Sequence, residues 1–213
     1  MKIVLIGATG FVGSHILTEL LSRGHNVTAV ARNASVLTAQ PNLKIVEADI
    51  FETENLTQIL KGHNVVISAY NAGWTNPYIY ADFLKGSASI NAAIKQVGIK
   101  RLLVVGGAGS LEISPGLQLV DTDEFPEEYK QGSLAARDAL NRLREETKLD
   151  WTFVSPAQHL VPGKRTGNFR YGTDQPVFNS EGQNIISIQD LAVAIVDEIE
   201  KPKFIKKRFT VGY

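Results

Sequence analysis

Three sets of residues stand where their types and spacing allow chemistry. The first is the run Gly7-Ala8-Thr9-Gly10-Phe11-Val12-Gly13. It follows the apolar stretch Ile3-Val4-Leu5-Ile6 and opens the pattern Phe11, Val12, Ile16, Leu17, Leu20, Leu21, so it reads as strand, tight turn and helix. Glycines at that spacing let the backbone turn sharply and approach a pyrophosphate closely. The helix start offers the anion free N–H groups and a partial positive charge. The second set is Ala31-Arg32-Asn33, at the end of the next apolar run. About 20 residues beyond such a turn, an Asp or Glu would hold the ribose hydroxyls of NAD. No acid stands here, and Arg32 can pair with a 2′-phosphate instead, which points to NADP while leaving NAD possible. The third set comprises polar groups at later strand ends. Asp49 could accept from an adenine amino group or cap its own turn. Ser110, after Gly106-Gly107-Ala108-Gly109, could bond a substrate carbonyl or satisfy its own turn. His159 has a side chain suited to proton donation.

These residues need a frame, and the hydrophobic pattern supplies one. Asn26 to Ala31, Leu43 to Ala48, Asn64 to Ala69, Arg101 to Val105 and Trp151 to Ser155 read as further strands. Val65-Val66-Ile67 is a continuous β-branched run of the kind buried on both faces. Helical patterns lie between them: Thr53 to Leu60, Tyr78 to Val97 and Glu127 to Lys148. Strands alternating with helices imply an α/β fold, a Rossmann-type doubly wound parallel sheet. In such sheets ligands sit beyond the carboxyl ends of strands. Ser68-Ala69-Tyr70-Asn71-Ala72-Gly73 would then lie against the cofactor's ribose and nicotinamide. Leu111 to Pro126 reads as a long irregular segment, functional if ordered. Past Ser155 the alternation breaks. Pro156 to Ser180 reads as loop and short hairpin pieces, followed by a short strand Ile185 to Ser187, a helix Gln189 to Glu200 and a last strand Arg208 to Gly212. The expectation is one NAD(P)-binding domain over 1–213, with a core over 1–155 and a small substrate-side lobe over 156–213.

Composition narrows the function classes. The chain has 213 residues, 44% hydrophobic and 21% charged, with Lys+Arg and Asp+Glu both at 22. A balanced charge disfavours a nucleic-acid or anionic-membrane binder. There is no cysteine, so disulfides, thiol catalysis and cysteine metal sites are excluded. The four histidines, His15, His25, His63 and His159, show no metal spacing. No stretch approaches the roughly 18 apolar residues of a membrane span. A cytoplasmic protein, monomer or homodimer, is expected.

The glycine run resembles the fingerprint of extended and atypical short-chain dehydrogenases/reductases. Ser155-Pro156-Ala157, Pro162-Gly163-Lys164-Arg165-Thr166-Gly167 and the ending Arg208-Phe209-Thr210-Val211-Gly212-Tyr213 resemble the compact NAD(P)H-binding group called NmrA-like or NAD-dependent epimerase/dehydratase-like. The resemblance covers essentially the whole chain. It implies that Gly7, Thr9, Gly10, Phe11 and Val12 lie along the pyrophosphate and that Arg32 meets the adenosine phosphate. It places Asp49 and Ile50 beside adenine, and Ser68, Ala69 and Tyr70 along the ribose. Ser155, Pro156 and Ala157 fall near the nicotinamide.

The chain departs from that pattern in one respect. Typical members use Tyr-x-x-x-Lys on a helix, where residues four apart share a face and the ammonium holds the ribose and lowers the phenol's pKa. Here Tyr129 is followed at that spacing by Ser133, and no other tyrosine has a lysine there. The weak catalytic candidates are thus Ser110, Tyr129 and His159. The leading reading is an NADPH-dependent reductase of a flavin, quinone or carbonyl acceptor, with Trp74, Phe169 and Tyr171 as stacking surfaces. Against it stands a non-catalytic NADP(H) sensor that regulates a protein partner.

Overall fold

The computed structural model describes residues 1–213. In chain order its main elements are β1 (Lys2–Ile6), α1 (Phe11–Ser22), β2 (Asn26–Ala31), β3 (Leu43–Glu47), α2 (Thr53–Leu60), β4 (Val65–Ser68), α3 (Ile79–Val97) and β5 (Arg101–Val105). There follow β6 (Glu112–Ser114), β7 (Leu117–Gln118), α4 (Glu127–Arg144), β8 (Asp150–Ser155), β9 (His159–Val161), β10 (Arg170–Gly172), β11 (Ile185–Ser187), α5 (Ile188–Glu200) and β12 (Lys207–Gly212).

Eight strands form one sheet in the order β10-β12-β8-β5-β4-β1-β2-β3. Seven run parallel, and β10 pairs antiparallel with β12 at the edge. The buried strands are apolar on both faces because helices cover both. One face packs Ile3, Leu5, Val154 and Phe209 against Leu17 and Leu20 of α1 and Leu191 and Ile195 of α5. The other packs Val4, Ile6, Leu102 and Phe153 against Leu56 of α2, Ile90 and Ile94 of α3 and Leu140 of α4. Each such fully buried side chain contributes about 1.5–3 kcal/mol.

The chain leaves β1 for β2 on one side and later crosses back to β4 on the other. The crevice at the carboxyl ends of β1 and β4 is therefore the switch point, where ligands bind in folds of this kind. Registers align Ile6 with both Val30 and Ser68. Gly7 and Ala69, one residue further on, therefore begin a common rim.

The expected architecture is present, with local corrections. Helix α4 ends at Arg144 rather than Lys148. Leu111 to Pro126 is not irregular throughout. It holds the β6–β7 ladder and short 3-10 turns at Ala108–Ser110 and Leu119–Asp121. The segment after Ser155 forms no hairpin between its own pieces. Strand β9 pairs in parallel with β11, and β10 joins the main sheet. These additions, with α5 and β12, build the C-terminal lobe onto the sheet's far side. No helix is long and apolar enough to cross a membrane.

Candidate functional site

The glycine turn is built by backbone contact. Gly7 has φ +81° and donates its N–H to Val30 O at 2.9 Å, while Gly10 N donates back to Gly7 O at 3.0 Å. A Cβ on Gly7 would sit 2.5 Å from Ala69 O, and one on Gly13 would sit 2.0 Å from Gly7 O. Only glycine fits either position. Gly10 caps α1 with an extended backbone, no side chain caps the helix, and no acid lies in its first turn. The helix start is thus left to an anion. Thr9, Gly10 and Phe11 are exposed, Phe11 at 53%. The residues fit a dinucleotide diphosphate, which needs open amides and no competing carboxylate.

Further along the rim, the side chains divide into those that face the cleft and those that turn away. Arg32 is exposed, one residue beyond β2. Asp49 is exposed, and its Oδ1 accepts Phe51 N–H at 2.9 Å, so one carboxylate oxygen caps the local turn. Ile50 is buried, its carbonyl bonded by Ser89 Oγ at 2.5 Å. Tyr70 donates its hydroxyl to Asp82 O at 3.0 Å and stacks on Phe83 at 5.8 Å. Burial, then the charge of Asp82, pushes the Tyr70 hydroxyl up to about 12, with Arg32 pulling down and Asp49 pushing up. Arg32, Asp49 and Tyr70 therefore share one electrostatic neighbourhood. Ser68 is buried and lines a small cavity with Ser87 and Asn91 of α3. Ser155 is fully buried with its hydroxyl unpartnered, and Ala157 is buried too, so of the three only Pro156 is open at that strand end.

The three catalytic candidates have different company. Ser110 is 2% exposed, and Arg208 Nη1 donates to its carbonyl at 2.7 Å and its Oγ at 3.0 Å. Arg208 is itself tied through Nε to Asp174 at 3.0 Å. The Ser110 hydroxyl thus anchors the lobe rather than facing a cleft. Tyr129, in the first turn of α4, meets Trp74 edge to face, with ring centroids 5.3 Å apart. His159 lies exposed on β9. At the position where a relay lysine would project, Ser133 is buried, and a Cβ on Gly109 would lie 2.8 Å from its Cβ. Lys130 reaches instead to Glu127 at 3.6 Å.

Two expected stacking surfaces are displaced. Phe169 and Tyr171 pack with Phe204 and Phe209 on the α1–α5 side of the sheet. Their isolated placement in the sequence concealed a shared cluster. Only Trp74 stays open, at 52% exposure.

The sequence also concealed the contacts that fasten the lobe. Asp190, fully buried, accepts from Thr166 N–H at 2.7 Å, Thr166 Oγ1 at 2.6 Å, Gly167 N–H at 2.8 Å and Tyr213 Oη at 2.8 Å. Burial pushes its carboxyl up, but these donors, Thr166 first, outweigh it and hold it below the usual range. Arg165 grips Glu19 of α1 with two bonds of 2.8 Å, and that contact is the largest of those keeping the Glu19 carboxyl low.

A doubly wound sheet with an open glycine turn at its switch point and a free arginine past the second strand defines a dinucleotide-binding Rossmann protein. The NAD(P)H-binding family matches residues 7–202. This chain belongs to that family, and its cofactor is a nicotinamide dinucleotide. The chain is 39% identical over 214 residues to the uncharacterized protein YwnB of Bacillus subtilis (strain 168), covering 99% of this chain and 98% of that protein. Among solved structures it is similar to a protein of Bacteroides thetaiotaomicron, provisionally described as an epimerase. The match has 44% identity and a TM-score of 0.93 over 100% of this chain and 96% of that one. It is also similar to SP1627 of Streptococcus pneumoniae TIGR4, provisionally described as an NADH-flavin reductase. That match has 37% identity and a TM-score of 0.87 over 100% of this chain and 99% of that one.

Proposed function

We propose that this protein is an NADPH-dependent reductase of a small planar acceptor, a flavin, quinone or carbonyl compound, that works without a tyrosine–lysine relay. The observation that carries this reading is the pairing of an uncapped α1 with an exposed Arg32 at the same rim. The first holds a diphosphate, and the second prefers a 2′-phosphate. The buried Ser133 and the Glu127-bound Lys130 support the missing relay.

When bound, a reduced nicotinamide supplies a hydride. The chain's own residues bind and orient. Thr9, Gly10, Phe11 and Val12 lie along the diphosphate, the helix-start amides of Phe11 and Val12 facing it while Gly10 N–H closes the turn on Gly7 O, and Gly7 makes room. Arg32 holds the adenosine phosphate, Asp49 and Ile50 flank adenine, and Ser68, Ala69 and Tyr70 border the ribose. Pro156, with Ser155 and Ala157 buried behind it, borders the nicotinamide end. A flavin or quinone takes its proton from water, so none of Ser110, Tyr129 or His159 need act as an acid.

The test is NADPH oxidation with flavin, quinone and aldehyde acceptors in parallel. Turnover with at least one acceptor is expected. Cofactor binding with no oxidation above background for any of them would overturn the reductase and favour a sensor.

A further inference from the structure

We propose that Trp74, seated on Gly132 and walled by Tyr129, is the platform on which the acceptor's ring lies, and that the acceptor is therefore aromatic rather than an aliphatic carbonyl compound. This rests on the reductase reading above and narrows its substrate class. Trp74 is 52% exposed and Tyr129 45%, yet neither is loose. Asn71 Oδ1 accepts Gly73 N–H at 2.7 Å, and Asn76 N–H donates to Gly73 O at 3.0 Å. Asn76 Nδ2 in turn donates to Asp82 at 2.8 Å. These bonds fix the loop that carries the indole.

Helix α4 is shaped to receive that indole. Tyr129 and Gly132, three residues apart, share one helix face. A Cβ at Gly132 would fall 2.6 Å from Trp74 Cζ3 and 2.9 Å from Ile79 Cδ1. A glycine inside a helix is disfavoured relative to alanine. Here the missing Cβ is what lets the indole edge rest on the helix.

Both supports of the platform are chain neighbours of residues at the sheet's carboxyl rim. Gly7 abuts Ala69, which begins the loop leading to Trp74. Ser133, next to Gly132, abuts Gly109 beyond β5. A rigid, half-open aromatic pair at the edge of a hydride-donor cleft selects a flat π-face, because offset stacking and edge contacts reward rings and give little to a short alkyl chain. Its order before binding also spares the cost of arranging it.

The experiment is a binding titration in the presence of NADP⁺, where no turnover occurs, using 1,4-naphthoquinone, riboflavin and butanal as probes. Tryptophan emission reports binding, since the second tryptophan, Trp151, is 3% exposed and shielded from a surface quencher. Naphthoquinone or riboflavin should quench saturably. Trp74→Ala should weaken that binding at least about tenfold, read by competition with NADPH-dependent turnover or by calorimetry, while leaving NADP⁺ affinity intact as proof of folding. Trp74→Phe should restore most of the affinity. Gly132→Ala should weaken ring binding in the parent but add nothing to Trp74→Ala. Butanal should be indifferent to all three changes.

Equal ring affinity in the parent and Trp74→Ala would overturn the platform, as would no ring binding to the parent at all. Unchanged NADPH oxidation and KM in Trp74→Ala would overturn the platform but leave the reductase standing. Trp74-dependent ring binding without any NADPH oxidation would do the reverse.

Discussion

Replacing Arg32 with alanine separates the phosphate-reading role of this side chain from a general part in binding. The side chain is exposed one residue past β2, and its charge reaches the Tyr70 hydroxyl together with that of Asp49. In the proposed binding mode it meets the adenosine phosphate. A hydrogen bond to a charged partner contributes about 1.5–3 kcal/mol. Exposure and salt screening put Arg32 at the lower end, so Arg32→Ala should weaken NADP⁺ and NADPH by about tenfold to thirtyfold. NAD⁺ and NADH should change by no more than about twofold, since neither carries the 2′-phosphate. Calorimetric titration with all four cofactor forms measures this directly. Two controls bear on the cause. The NADP⁺ preference of the parent should shrink as salt rises, and should fall as pH drops below the phosphate's second ionisation near pH ~6. Equal weakening of the phosphorylated and unphosphorylated pairs would refute the assignment. It would mean that Arg32 shapes the rim without touching the 2′ position.

Two further predictions concern the frame. Gly13→Ala drives a Cβ to 2.0 Å from Gly7 O, an atom that cannot swing aside. It should lower stability by about 1–3 kcal/mol and raise the dissociation constants of all four cofactors together, as seen in the same titrations. Asp190→Asn removes a carboxylate that accepts four hydrogen bonds. It should cost about 2–3 kcal/mol near neutral pH by denaturant melts. Because the folded carboxyl is held low, its stabilising contribution is complete above the unfolded value near ~3.9. That contribution is lost as pH falls through the folded value. The gap between parent and variant should therefore close in acid, and a constant gap down to strongly acidic pH would refute it.

Much of the frame could be read from the sequence because it depends on local pattern. Val65-Val66-Ile67 and Ile3-Val4-Leu5-Ile6 are apolar without alternation, and only a sheet covered on both faces satisfies them. The glycine turn was equally readable, since Gly10 and Gly13 both close on Gly7 O within a few residues. Arg32 stands out in the sequence because it lies at a set distance from that turn. What could not be read were pairings across the chain. Ser110 meets Arg208, 98 residues away, and Asp190 meets Thr166 and Tyr213 across 24 and 23 residues. No local spacing encodes such a meeting. Phe169 and Tyr171 looked like free aromatics because Phe204 and Phe209, which bury them, come much later in the chain.

One unread feature did leave a local mark. Gly132 stands inside a helix otherwise rich in strong helix formers, a choice that propensity alone disfavours. A residue that breaks the local preference signals close approach by something else, and here the visitor is Trp74. The same reasoning applies to Ser133, four residues after Tyr129. Position 133 lies against the backbone of Gly109, so a lysine there could not extend into the cleft without parting α4 from the turn after β5. In this chain the helix face that elsewhere carries the relay is given over to packing, and its neighbour at Gly132 to seating an aromatic ring. The proposed reductase would then depend on orienting a flat acceptor against the cofactor, and leave protonation to water.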